Sequence, residues 1–314
     1  MNLTAKSINL VKNIGQSIIF FYLIIFLAIW SNTNFGKTDY TAKLAILNRL
    51  RPHFEFHNVF YEYQIPYRQK QLRLYINYFD WVVQFMPDHA DAYGMMGLCY
   101  HLIGDDKNAI ASYKKAIEYN PSFLWSYYNL GLIYFKRGEY AIASELIQRA
   151  LRTKAQHTTT FILMSEKIYL TNIVTEARGT GKDYKKIIED QIKEGYLKSY
   201  IVLMLSAYHQ ENYEDVIRVA DLSLRIHGDV DGVFTRYAGF AAYQMKAYTQ
   251  AVYLLNESIH VNPNNSEAFQ ILGLSLQALG KDDLAQGALI KGKYLKNITT
   301  PSIPIENTLE LKMY

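Results

Sequence analysis

Apolar and polar positions along this chain fall into two patterns. Residues 14–30, IGQSIIFFYLIIFLAIW, make one uncharged run between Lys12 and Lys37. As a helix the run rises roughly 25 Å, close to the hydrocarbon thickness of a bilayer. Trp30 stands at its edge, where an interfacial aromatic is comfortable. The run predicts a retained transmembrane anchor. A cleaved signal is one alternative, although FLAIWSN offers no A-x-A cut site. A buried core helix is another, and it would need protein on every side. Lys6 and Lys12 precede the run, whereas Lys37, Lys43, Arg49 and Arg51 follow it, so charge alone does not choose the orientation. A short basic tail ahead of a first apolar segment favours a cytoplasmic tail and an exported remainder.

The second pattern is a repeat. Pro87 and Pro121, Gly97 and Gly131, and Ala109 and Ala143 each lie 34 residues apart, and Gly239 with Gly273 and Ala251 with Ala285 keep the interval. Gly131 to Gly239 is 108 residues, three periods plus six, so the phase crosses the middle of the chain with a short insertion. The period predicts units at 90–123, 124–157, 158–197, 198–231, 232–265 and 266–299, each a pair of amphipathic helices. Irregularity is expected at 158–197, with longer helices there. Residues 69–85, QKQLRLYINYFDWVVQF, read as the second helix of a degenerate earlier unit. The organisation expected is a tail and anchor over 1–36, a linker and degenerate unit over 37–89, the repeat array over 90–299 and an extended tail over 300–314.

Tyr127-x-x-Leu130-Gly131-x-x-Tyr134 with Ala143 and Ala150 resembles the tetratricopeptide (TPR) family. Tyr93, Met96-Gly97, Tyr100, Ala109 and Pro121 repeat the pattern one period earlier, and Phe269, Leu272-Gly273, Ala285 and Leu289 repeat it near the far end. The resemblance implies an all-α, right-handed solenoid of helix-turn-helix units with a concave groove that binds partner proteins. It places Trp125, Tyr128, Leu132 and Phe135 on that groove, followed by Arg236, Phe240 and Tyr243, and then Gln270, Leu274 and Gln277. Packing of these aromatics on upstream or inserted helices is the competing reading. The chaperone-tail subset of the family is not matched, because Gly94 and Leu98 stand at its first basic and amide positions and Asn129 alone agrees. Gly104, Gly138 and Gly280 fall where first helices end and suit a positive φ.

Composition changes this picture little. Net charge is +4, spread along the chain, which gives no footprint for nucleic acid. Cys99 is the single cysteine, so neither a disulfide framework nor a cysteine metal cluster can form within one chain. HFEFH at 53–57 sets two histidines four apart but lacks the H-E-x-x-H order of zinc peptidases and a third ligand. ARGTGKD at 177–183 lacks the first glycine of a phosphate loop and has Asp183 where Ser or Thr belongs. No nucleophile, base and orienting group assemble by spacing. The reading is therefore a membrane-tethered, non-enzymatic scaffold that needs no cofactor and binds an extended peptide or helix of a protein partner, with neither nucleic acid nor a small-molecule substrate expected. The alternative is an accessory subunit of a membrane enzyme or of a surface-polymer or glycan export complex. A bacterial inner membrane, with the repeats on the exported side, is the expected setting.

Overall fold

The computed structural model describes residues 65–153 and 184–298, together with Gly181 and Leu309. Among these residues every regular element is an α-helix: α1 Ile65–Phe85, α2 Ala90–Leu102, α3 Asp106–Tyr119, α4 Leu124–Lys136, α5 Tyr140–Arg152, α6 Tyr184–His209, α7 Tyr213–His227, α8 Val233–Gln244, α9 Tyr248–Val261, α10 Ser266–Ala278 and α11 Asp282–Ile298. The apolar run at 14–30, the histidines at 53–57 and all of 158–180 lie outside the described residues. No described helix is long and apolar enough to cross a membrane.

Alternate helices differ in how they are buried. The second helix of each pair hides one stripe: Ala109, Ser112, Tyr113 and Ala116 on α3, or Val216, Val219, Ala220 and Ser223 on α7. That spacing of three and four residues is the buried face of a surface helix. First helices are enclosed more fully, and α4 buries every residue from Leu124 to Ile133 as well as Phe135. They touch their own partner and also the first helices of neighbouring pairs, since α2 meets α4, α4 meets α6, α6 meets α8, and α8 meets α10. The result is a row of first helices backed by a row of second helices.

Five turns join the pairs with one geometry. The second residue after the first helix has positive φ in each, and the next backbone N–H donates to the carbonyl five residues back at 2.9–3.0 Å. Asp105 N–H reaches Tyr100, Glu139 reaches Tyr134, Asn212 reaches Ala207, Ala247 reaches Ala242 and Lys281 reaches Leu276. This is the Schellman closure of a helix end. Gly104, Gly138 and Gly280 take the left-handed position as expected, but Glu211 and Lys246 hold it in the other two turns. A side chain there costs roughly 1–2 kcal/mol, which the rest of the turn must offset. Asp105 and Asn212 then cap the following helices, accepting from the N–H of Asn108 at 3.1 Å and of Asp215 at 3.3 Å.

The repeated glycines make notches. A Cβ at Gly97 would lie 2.8 Å from the Tyr113 ring, at Gly131 it would lie 2.8 Å from Ile147 Cδ1, at Gly239 2.7 Å from Leu255 Cγ, and at Gly273 2.6 Å from Leu289 Cγ. In these four pairs the filling side chain follows sixteen residues after the glycine. The pair α6–α7 has no glycine at that place. Sixteen residues apart it carries Met204 and Ala220, both fully buried in one cluster. Large and small have exchanged helices there, so the combined volume at that level of the repeat is still filled.

The core is a chain of clusters. One joins α1 to α2 around Leu72, Tyr75 and Val82; a small one links α2, α3 and α4; the largest spans α4 to α8; the last runs from α8 to α11. No pair closes a core alone, and stability is therefore shared between neighbours. Helix α6, at 26 residues, is the longest, and it runs through the expected unit boundary at 197/198 without a break.

Candidate partner-binding face

The seven groove positions read from the sequence divide into two groups. Trp125, Tyr128, Leu132 and Phe135 are 8%, 0%, 0% and 5% exposed, inside the largest cluster. Their expected exposure is overturned. The physical reason is α6, which packs against both α4 and α5. A Cβ at Gly195 would overlap the six-membered ring of Trp125, so that indole lies on the bare backbone of α6. Trp125 also meets Tyr128 edge to face at 6.2 Å. Midway along α6, Tyr196 Oη donates to the Thr153 carbonyl at 2.7 Å, and at its end His209 stacks on Tyr140 with ring centroids 4.6 Å apart. Tyr127 and Leu130 are buried as expected, whereas Tyr134 is only half-buried.

Arg236, Phe240 and Tyr243 are half-buried on α8. Their spacing of four and three puts them on one face. Beside them α10 presents Gln270 half-buried and Leu274 and Gln277 exposed. The guanidinium of Arg236 sits 5.3 Å from the centre of the Tyr237 ring, which meets Phe240 at 5.8 Å and Tyr208 of α6 at 5.3 Å. Such a cation over an aromatic face is favourable. Arg236 Nε is nevertheless buried with no hydrogen-bond partner. This face is aromatic, carries one cation, and is open enough to be touched. Sequence reasoning missed Gly195, whose lone signal was a glycine inside a charged helical stretch, and it missed Leu309, which is buried in the largest cluster.

Comparison with known proteins agrees with this architecture. A family profile described as TPR repeat matches residues 97–138, and one described as tetratricopeptide repeat matches 126–157. Residues 97–157 carry tetratricopeptide repeats. A TPR repeat-containing protein of Methanocaldococcus jannaschii, MJ1428, is 20% identical over 280 residues, which is 88% of this chain and 44% of that protein. Human tetratricopeptide repeat protein 6 is 31% identical over 72 residues, 23% of this chain and 14% of that protein. The chain thus spans under half the length of these curated relatives. Among solved structures, YrrB, described as a TPR protein with an unusual peptide-binding site, superposes with a TM-score of 0.52 at 14% identity over 70% of this chain and 93% of its own. MamA superposes at 0.47 with 16% identity over 64% of this chain and 95% of its own. The likeness to YrrB is one of fold: an all-helical tetratricopeptide solenoid.

At the start of the first clear repeat stand two buried titratable groups. Burial raises the Asp91 carboxyl from 3.8 to about 7, and its Oδ2 has no hydrogen-bond partner. Burial lowers His89 from 6.5 to about 4, against the opposing pull of its backbone hydrogen bond and of Asp88. The neutral ring is also what the helix needs, because His89 Nδ1 accepts from the Ala92 N–H at 3.4 Å to cap α2. The two shifts oppose each other. A raised Asp91 stabilises most at low pH and loses that contribution as pH rises through about 7; a depressed His89 loses stability as pH falls from 6.5 towards 4. Between pH 4 and 6.5 their slopes nearly cancel. Asp91→Asn should unmask His89, so that stability climbs with pH over that window by up to about 1.4 kcal/mol per unit. Urea midpoints of wild type and variant at pH 4.5 and 6.5 test this, and parallel shifts in both proteins would refute it.

Proposed function

We propose that this protein is a membrane-tethered, non-catalytic scaffold whose tetratricopeptide repeats hold an extended peptide or helix of a partner on the face formed by α8 and α10. One observation carries the reading: the buried Nε–H of Arg236 lacks an acceptor amid half-buried Tyr237, Phe240 and Tyr243. An unsatisfied buried donor costs about 1–3 kcal/mol, and more when charged. A carbonyl or carboxylate supplied by a partner would remove that cost, while the rings supply apolar contact. The peptide-binding site described for YrrB, which shares the fold, supports the same use of the scaffold. The uncharged run at 14–30 supports tethering.

The test places a photo-crosslinking residue at position 243 and, as a control, at position 253 on α9, whose native Tyr253 is 64% exposed. Crosslinking in intact membranes should yield a defined adduct from position 243. Arg236→Ala or Phe240→Ala should weaken it by about 30-fold, the equivalent of ~2 kcal/mol at an interface anchor. Equal adducts from both positions, or indifference to both substitutions, would remove the α8–α10 face from consideration. Release of the full-length chain by carbonate washing would remove the anchor and leave the face untouched.

A further inference from the structure

Helix α11 exposes an apolar stripe: Leu284, Ile290, Tyr294 and Ile298 are 63%, 61%, 54% and 57% exposed. The repeat supplies a control for it. One residue after the side chain that fills the glycine notch, counting Ala220 as that residue on α7, helices α3, α5, α7 and α9 carry Lys114, Gln148, Asp221 and Asn256; α11 carries Ile290. Five residues after it they carry Glu118, Arg152, Arg225 and His260; α11 carries Tyr294. On α7 the two positions form an ion pair, Arg225 to Asp221 at 2.6 Å. Nor is the stripe the face left bare where the repeats stop. That face holds Val252 and Ile259 on α9, packed on the last cluster, and its counterparts on α11 are the exposed Gln286 and Lys293. Polar residues have thus replaced apolar ones where no next repeat follows, while apolar residues stand where the other second helices are polar. A contiguous exposed apolar patch of this kind marks a contact surface.

We infer that α11 pairs with α11 of a second copy of this chain, about a two-fold axis at Gly287. Charge complementarity selects that occupant. Asp283, Gly287 and Lys291, four residues apart and all exposed, form one ridge along the stripe, with opposite charges at its ends. Ridges of this kind run parallel when two helices cross at about −50°, the commonest packing. Reversing one ridge on the other sets Asp283 against Lys291 of the second copy, and Lys291 against its Asp283. A two-fold interface requires this kind of self-complementarity. Leu284 and Ile290 flank the ridge, one on each side, and each meets its own equivalent. Gly287 stands at the crossing, where a Cβ would touch nothing within the chain. A glycine inside a helix is locally unfavourable; here it lets two backbones approach closely. Asp283 makes no ion pair among the described residues, and Lys291 lies 5.5 Å from the centre of the Tyr294 ring. The row of second helices carries this surface, whereas the α8–α10 face belongs to first helices, so either reading can fail alone.

The experiment follows self-association of the full-length chain by sedimentation over a concentration series. Asp283→Lys and Lys291→Asp should each dimerise at least about tenfold more weakly than wild type, because like charges then face each other at both ends of the ridge. An equal mixture of the two variants should regain wild-type affinity, since every facing pair in the mixed dimer is again opposite in sign. A misfolded variant would not recover on mixing. Register is read by cross-linking: Asp283→Cys chains co-expressed with Lys291→Cys chains should join through a short thiol cross-linker, the native Cys99 being buried. Either variant alone should join poorly, because like positions lie about 12 Å apart along the helix. A wild-type chain that stays monomeric, a dimer indifferent to both reversals, or weakened variants that do not recover on mixing would each overturn the inference. So would a cross-link from position 291 to a different protein in place of a second copy.

Discussion

Trp125→Ala is expected to destabilise the protein by ~3–5 kcal/mol, the usual loss for a large aromatic removed from a core. The indole is 8% exposed and seated on the backbone of α6 at Gly195. Truncation leaves a void that α6 cannot close, because the helix is held at its middle by Tyr196 on Thr153 and at its end by His209 against Tyr140. The size of the effect separates two roles for one side chain. A groove residue would cost little stability and much binding; a seat for α6 costs stability first. Urea unfolding of the full chain followed by circular dichroism measures it. A loss below about 1 kcal/mol, the range of ordinary surface substitutions, would return Trp125 to the surface. Gly195→Val tests the same contact from the other side and should do comparable damage, since its side chain would have to enter the ring of Trp125.

Gly131→Leu should cost about 1–3 kcal/mol or more through overpacking. A Cβ there already meets Ile147 Cδ1 at 2.8 Å, and the Ala143 carbonyl is 3.5 Å away. Ile147→Ala in the same chain should recover part of the loss, because the nearest obstacle is a side chain and not backbone. The α6–α7 pair offers the mirror case. Ala220→Leu should be damaging alone and milder with Met204→Ala, with a coupling of roughly 0.5–3 kcal/mol expected for residues that share space. Unfolding midpoints of the four proteins in each cycle give the coupling. Strict additivity in the second cycle would mean that Met204 and Ala220 do not share one notch.

Much of this protein could be read from residue spacing. The 34-residue interval, the small residues at 97, 131, 239 and 273, and the glycines ending first helices all describe interactions within one repeat, where partners sit at fixed short distances along the chain. Their outcomes are local: turns closed on a carbonyl five residues back, and notches filled sixteen residues later. Where the local signal was absent, at Glu211, Lys246 and Met204, the same geometry survived with other residues. There, contacts with neighbouring repeats outweigh a weak backbone preference and a missing glycine.

Only the tertiary structure decided which aromatic faces are available. Helical periodicity puts Trp125, Tyr128, Leu132 and Phe135 on a side that faces a groove in a regular array. It carries no information on whether another element lies there. Helix α6, beginning 59 residues after Trp125, covers that side and turns a recognition surface into core. Arg236, Phe240 and Tyr243 have the same spacing on α8 and remain partly open. Leu309 likewise has no neighbour in sequence that announces its burial. The difference is one of range. Contacts within a repeat recur and leave a period in the sequence, whereas a long helix makes its contact once, and a single pairing of distant residues leaves no period to detect.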